Sequence, residues 1–183
     1  MTDFQQDHPD GLIITMDEMS LYLQATTTRV WYPMGQRPIV TVSPQRDCQH
    51  WYGALCLNNG QEVALSVPGL DSQTTLHFLA HVLTAFPTQP ILLFLDRATW
   101  HRGDAIRAFL LQNPRLHLIY FPPACPQLNP QEHVWKAARK AVSHNHTFPT
   151  LSALRAAFAH FLDSTLFRFH WVEKFAPLNM RGV

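Results

Sequence analysis

The chain changes hydrophobic period about a third of the way along its length. Before that point the apolar positions run continuously or alternate, as in strands. Leu12 to Met16 is an apolar, partly β-branched run that reads as a buried strand and ends in Asp17-Glu18. Thr26 to Trp31 reads as a second strand, stopped by the turn-forming Tyr32-Pro33-Met34-Gly35, and Ile39 to Val42 resumes strand. Trp51 to Leu57 and Glu62 to Val67 flank Asn58-Asn59-Gly60, a strong hairpin signal because both Asn-Gly turn positions favour positive φ. From Asp71 onward Leu76, Leu79, Leu83 and Phe86 recur at helical spacing, and that helix ends near Pro87. Ile91 to Leu95 is another buried strand and leads into Asp96; Gly103 to Gln112 is a helix stopped before Pro114. Leu116 to Phe121 is a strand, followed by the loop Pro122-Pro123-Ala124-Cys125-Pro126. Asn129-Pro130-Gln131-Glu132 opens a helix through about Ser143, Thr150 to Asp163 is the last long helix, and Leu166 to Phe175 is a shorter helical stretch. The order predicts one mixed α/β sheet, three antiparallel strands followed by parallel ones, flanked by helices.

Ligands on such sheets gather beyond the carboxyl ends of the strands. Asp17 and Asp96 stand at two such ends, and the proline loop leads to Glu132. Each acid alone has an ordinary explanation: Asp17 and Asp96 as turn residues, and Glu132 as the third residue of a capping box begun by Asn129. Glu18 points to the face opposite Asp17 in any extended strand, and chemistry alone does not choose between them. Three converging carboxylates repel one another when ionised. They are stable mainly when protonated or when holding hard divalent cations such as Mg²⁺ or Mn²⁺. Two such ions held close together are suited to cutting and joining phosphodiesters.

Composition narrows the field. Of 183 residues, 46 % are hydrophobic and only 15 % charged, with a net charge of +1, which excludes a disordered chain and a general polycation. The longest apolar runs are too short to span a bilayer, and the acidic, polar start is unlike a signal peptide. Cys48, Cys56 and Cys125 contain no C-x-x-C pair, so neither a disulfide framework nor a zinc knuckle is expected, and a reducing cytoplasmic setting fits. His144-Asn145-His146 spells a nuclease motif, but a bare tripeptide carries little.

Four segments together resemble the DDE-type transposases of the mariner superfamily, specifically the catalytic domain of their bacterial insertion-sequence relatives. They are Ile13 to Ser20 (I-I-T-M-D-E-M-S), Arg29 to Pro38 (R-V-W-Y-P-M-G-Q-R-P), Leu93 to His101 (L-F-L-D-R-A-T-W-H) and Tyr120 to Lys136 (Y-F-P-P-A-C-P-Q-L-N-P-Q-E-H-V-W-K). The 35 residues between Asp96 and Glu132 are close to the family's separation. The resemblance runs from about Leu12 to Phe175.

It implies a ribonuclease H-like fold over 12–176, with tails at 1–11 and 177–183 and no N-terminal helix-turn-helix modules. Carried over, Asp17, Asp96 and Glu132 become the catalytic and metal-binding triad for two Mg²⁺ ions, with Mn²⁺ as substitute. Glu18 becomes a neighbour that does not ligate. Arg97 replaces the family's usual Asn and Gln131 its common Ile. Arg97, His101, Lys136, Arg139 and Lys140 are candidates for contacting DNA, the last three following Glu132 at helical spacing. Arg29, Arg37 and Arg46 form a weaker second basic set. The phenylalanines at 158, 161, 167, 169 and 175 are expected in the core or a dimer surface.

The implied activity is divalent-metal-dependent DNA cleavage and strand transfer in transposition. The partners would be transposon-end and target DNA, a second copy of the chain and a separate helix-turn-helix chain for end recognition, but no membrane. The setting would be the bacterial cytoplasm, at the nucleoid when DNA is bound. Two rivals remain: another ribonuclease H-like nuclease acting on junctions or RNA–DNA hybrids, and a retired transposase that serves only for binding or dimerisation.

Overall fold

The longest strand, β1 (Leu12–Tyr22), lies at the centre of a five-stranded sheet of order β3-β2-β1-β4-β5. The computed structural model describes residues 2–24, 26–37 and 39–169. β2 (Cys48–Cys56) pairs antiparallel with β1, and β3 (Glu62–Val67) pairs antiparallel with β2 across the turn at Gly60, whose φ is 79°. On the other side of β1, β4 (Ile91–Leu95) and β5 (Leu116–Tyr120) run parallel to it. With helices on both faces, this is the mixed sheet of a ribonuclease H-like fold.

The period-two rule assigns the faces. Ile14 and Met16 of β1 pack with Tyr52 and Ala54 against α2 (Ser72–Ala85) and α3 (Asp104–Gln112), through Phe78, Leu79, Val82 and Ile106. Met19 and Leu21 pack on the other face with Trp51 and Leu55. There they meet α4 (Gln131–Ala138), which continues as a π-helical turn over Arg139–Ser143, and α5 (Leu151–Ser164). β4 is apolar at every position because both of its faces are covered. Among the described residues no helix is long and apolar enough to cross a membrane.

Several expectations need correction. The runs at 26–31 and 39–42 are not strands. Their β-branched residues carry local propensity, but no strand pairs with them. Instead the Thr26 carbonyl accepts from the Asn145 amide, the Thr28 amide donates to Asn145 Oδ1, and the Thr41 carbonyl accepts from Thr147 Oγ1. The nuclease-like tripeptide is thus explained: Asn145, at φ 59°, ties down the long β1–β2 connection. The polar tail contains a short helix, α1 (Thr2–Asp7), because the Phe4 ring finds His8 and His117 of β5 at 4.9 and 5.5 Å. Residues 165–169 are not helical; the Phe167 amide bonds to the Gly60 carbonyl. The rest of the helical stretch expected to Phe175 lies outside the described residues. Phe158 and Phe167 are core, and Phe161 and Phe169 pack against them.

Candidate active site

Asp17 is not at a strand end. β1 runs five residues beyond it, and Asp17 faces Gly53 of β2. What ends beside it is the pairing with β4, whose last partner on β1 is Thr15. Past that point β1 continues with only β2 at its side, and a cleft opens beyond the carboxyl ends of β4 and β5. Asp96 follows β4 directly into this cleft. The Phe121 to Pro126 loop follows β5, and α4 brings Glu132. These residues, with Asp17, Arg97, Ala98 and Asn129, line one cavity of about 420 Å³. Three carboxylates separated widely in sequence therefore share one pocket.

Glu132 is placed by backbone contacts rather than by the expected capping box. Asn129 is buried, and its Nδ2 donates to the Met16 carbonyl at 3.0 Å, tying the start of α4 to β1 one residue before Asp17. Its Oδ1 accepts from the Gln131 amide at 3.2 Å, and the Glu132 amide bonds to its carbonyl. Glu132 is thus left half-buried at the pocket wall.

Asp17 is half-buried, and Trp135 Nε1 donates to its Oδ2 at 3.1 Å. Burial pushes its pKa up to about 8, reinforced by the negative charges of Glu18 and Glu132 and, less strongly, Asp96. Asp96 behaves oppositely. The hydrogen bond from His101 holds it below the usual carboxylate range despite partial burial. His101 Nδ1 lies 2.8 Å from Asp96 Oδ1, which also accepts from the Ala98 amide at 2.9 Å. Both bonds fall on one oxygen, and Oδ2 is the one left for a ligand.

Glu18 projects to the opposite face of β1, as alternation requires. There its Oε1 accepts from Trp100 Nε1 at 3.2 Å and contacts His101 Nε2. His101 is 1 % exposed and holds a carboxylate at each ring nitrogen. Burial opposes its charge, but the bonds to Asp96 and Glu18 outweigh that and raise its pKa to about 9. Glu18, Asp96 and His101 offer one ligand atom each within 4.8 Å of one another. These atoms are already engaged with one another through the imidazole, so the group acts as a brace for Asp96.

The candidate DNA-contacting residues divide. Arg97 is exposed at the pocket wall, with Nε donating to the Phe121 carbonyl at 3.2 Å. Lys136 and Lys140 are exposed. Arg139 is half-buried, and its Nη2 reaches the Ser20 carbonyl at 3.4 Å, so part of its donor capacity is spent on β1. His101 is turned inward and is not presented to a phosphate; its expected DNA contact is corrected by its burial between two carboxylates. Arg29, Arg37 and Arg46 are exposed on the β1–β2 connection.

Sequence reasoning did not find the partners of the acids: Trp135 for Asp17, Trp100 and His101 for Glu18. One signal was available. Gly53 interrupts an otherwise strand-like run, and an interior strand glycine marks a close approach. A Cβ there would collide with Gln131 Nε2 and Trp135 Cη2 and would lie 2.5 Å from Glu62 Oε1.

A fold, a cleft and acids from three elements define a class, and the family model for DDE superfamily endonucleases matches residues 12–155. The chain belongs to that family. Among curated proteins it is similar to the insertion element IS630 uncharacterized 39 kDa protein of Shigella sonnei, 24 % identical over 162 residues, 86 % of this chain and 46 % of that protein. It is also similar to the uncharacterized protein y4pE/y4sA of Sinorhizobium fredii (strain NBRC 101917 / NGR234), 30 % identical over 98 residues, 53 % of this chain and 70 % of that protein. The chain therefore spans about half the length of the IS630 relative. Among solved structures, the Mos1 transposase paired-end complex with left transposon end matches with a TM-score of 0.68 at 13 % identity, covering 93 % of this chain and 53 % of that one. The Mos1 mariner paired-end complex with Mn matches with a TM-score of 0.65 at 15 % identity, over 92 % of this chain and 53 % of that one.

Proposed function

We propose that this chain is the catalytic domain of a DNA transposase of the insertion-sequence branch of the mariner superfamily, cutting and joining DNA strands at a site built by Asp17, Asp96 and Glu132. The observation that carries this reading is the single cavity lined by these three carboxylates, delivered by β1, by the end of β4 and by α4. Membership of the endonuclease family and the likeness to Mos1 complexes that contain transposon ends and Mn support it.

The donor set fits hard divalent cations. It offers carboxylate oxygens only, and the Asp17 carboxyl, raised chiefly by burial, is raised further by the charges of Glu18, Glu132 and Asp96, which a bound cation would offset. Asp17, Asp96 and Glu132 would hold two Mg²⁺ ions, or Mn²⁺ in their place. Bound ions of this kind activate a water or a 3′-hydroxyl and stabilise the leaving oxygen. The protein's own work is positional. Trp135 orients Asp17, and His101 fixes Asp96 with one oxygen free. Phe121, Pro122 and Pro126 form the apolar part of the pocket wall. Arg97, Lys136 and Lys140 are placed to meet DNA phosphates. Transposon ends and target would be the DNA partners, in a complex with two copies of the chain and end recognition supplied by helix-turn-helix modules.

The test is Mn²⁺ calorimetry on wild type and Asp96→Ala, followed by cleavage of a supercoiled plasmid bearing inverted repeats, a four-way junction and an RNA–DNA hybrid. Binding that is lost in the variant, with cleavage of the plasmid preferred, is expected. Preference for the junction or hybrid would move the chain to another ribonuclease H-like nuclease. Absence of Mn²⁺ binding both with and without DNA would leave the retired scaffold.

A further inference from the structure

We infer that Glu62 and Gln131 are positioning residues for Glu132: a buried hydrogen-bonded pair, seated in the space left by Gly53, that sets where the first turn of α4 rests on the sheet. The inference deepens the proposed reading of the site and rests on it. Gln131 is 0 % exposed, and its Nε2 donates to Glu62 Oε1 at 2.6 Å. Gly53 lies between the two anchors, paired to Asp17 on one side and to Ala64 of β3 on the other. Any side chain there would push Gln131, Trp135 and Glu62 away. The first turn of α4 is thus held at two points, Gln131 to β3 and Trp135 to Asp17 of β1. Glu132, next to Gln131, is carried into the cavity between them.

The pair is poorly explained as a device for stability. Among the described residues Glu62 Oε2 and Gln131 Oε1 have no hydrogen-bond partner, although both are buried. Burial raises the Glu62 carboxyl well above its ordinary pKa, against the hydrogen bond from Gln131, which lowers it. Unpartnered buried oxygens cost stability, and an apolar pair of similar volume would remove that cost. An arrangement that opposes stability one residue from a metal-binding acid is expected where geometry is the gain.

The test is the double variant Glu62→Met/Gln131→Leu, with Glu62→Gln as the conservative control. The double variant is expected to melt no lower than wild type. Its Mn²⁺ affinity by calorimetry falls by about tenfold, the usual scale for losing an outer partner of a ligand. The indole proton of Trp135, bonded to Asp17, reports the seat of α4 without any ion, and its exchange speeds up about tenfold in step. Glu62→Gln keeps an acceptor for Gln131 and retains wild-type affinity and exchange. An unchanged indole exchange in the double variant overturns the inference, as does Mn²⁺ affinity within about twofold of wild type. A double variant that fails to fold, or a Glu62→Gln that loses as much as the double, overturns it too. Wild type that binds no Mn²⁺ while the indole responds as expected would defeat the metal-site reading and leave the positioning inference standing.

Discussion

Trp135 Nε1 donates to Asp17 Oδ2 across 3.1 Å, joining the helix that carries Glu132 to the strand that carries the first acid. The bond orients one carboxylate and docks one helix with the same atom. Trp135→Phe keeps the ring and deletes the donor. We expect a loss of about 1 kcal/mol in stability, read by chemical denaturation. A larger effect, about tenfold weaker Mn²⁺ binding, is expected from calorimetry. Equal Mn²⁺ affinity in the two proteins would show that the indole only packs.

The acids also make stability depend on pH. Asp17 titrates at about 8 in the folded chain against 3.8 for a free carboxyl, so its stabilising contribution is complete below 3.8 and is lost as pH rises to 8. His101 titrates at about 9 against 6.5, so its contribution is complete below 6.5 and is lost as pH rises to 9. In both windows the folded chain binds more protons than the unfolded one, and stability falls with rising pH. The metal-free melting temperature should therefore drop between about pH 6 and pH 9. A flat or rising profile would mean that neither group is held as described.

On the proposed reading of the site, cation binding displaces the Asp17 proton. At pH 7, calorimetry in two buffers of different ionisation enthalpy should show about one proton released per site filled. Asp17→Asn should abolish both the proton release and the binding. Binding without proton release would show that Asp17 is already ionised.

Removing His101 should cost more than removing the charge it serves. His101→Ala leaves Glu18 buried without its imidazole and Asp96 without its brace, and about 3 kcal/mol of stability should be lost. Glu18→Gln keeps an oxygen for Trp100 and should cost less. Denaturation of both variants, with Mn²⁺ titration, gives the order. The reverse order would place the anchor in Glu18 rather than in the histidine.

Arg97 is exposed at the pocket wall, and Arg97→Asn should leave folding and Mn²⁺ binding unchanged. It should reduce the salt dependence of DNA binding by about one phosphate contact, measured as the slope of log affinity against log salt. An unchanged slope would place Arg97 away from the DNA.

Much of this was legible in the chain. The strand-like runs before Asp17 and Asp96 are both real, and Pro122 to Pro126 does lead to Glu132. The hairpin at Asn58-Asn59-Gly60 also forms, because turn chemistry is local. Thr26 to Trp31 misled because β-branched composition measures fit to a sheet and no neighbouring strand is there to receive it. The side-chain partners stayed hidden for a related reason. Trp135 and Asp17 are 118 positions apart, and only the folded register brings them together. Alternation places Glu18 on the far face of β1, but it does not reveal that His101 waits there or that His101 links back to Asp96. Glu62 reads as an ordinary strand-edge acid until Gly53 opens room for Gln131 above it.

Asp17 and Glu18 are neighbours in sequence assigned to different layers of the molecule, and the register of β1 is held by β4 up to Thr15 and by β2 from Ile14 to Tyr22. A slip of β1 by a single residue would turn both acids to the wrong face. Toward one end it would bring Glu18 to the place of Asp17 at the cleft; toward the other it would seat an aspartate, one carbon too short, under His101. The strand thus acts as a ruler whose register, held by its pairings with β2 and β4, decides which acid faces the cleft. An error of register would dismantle the proposed site while all three of its carboxylates remained in the sequence.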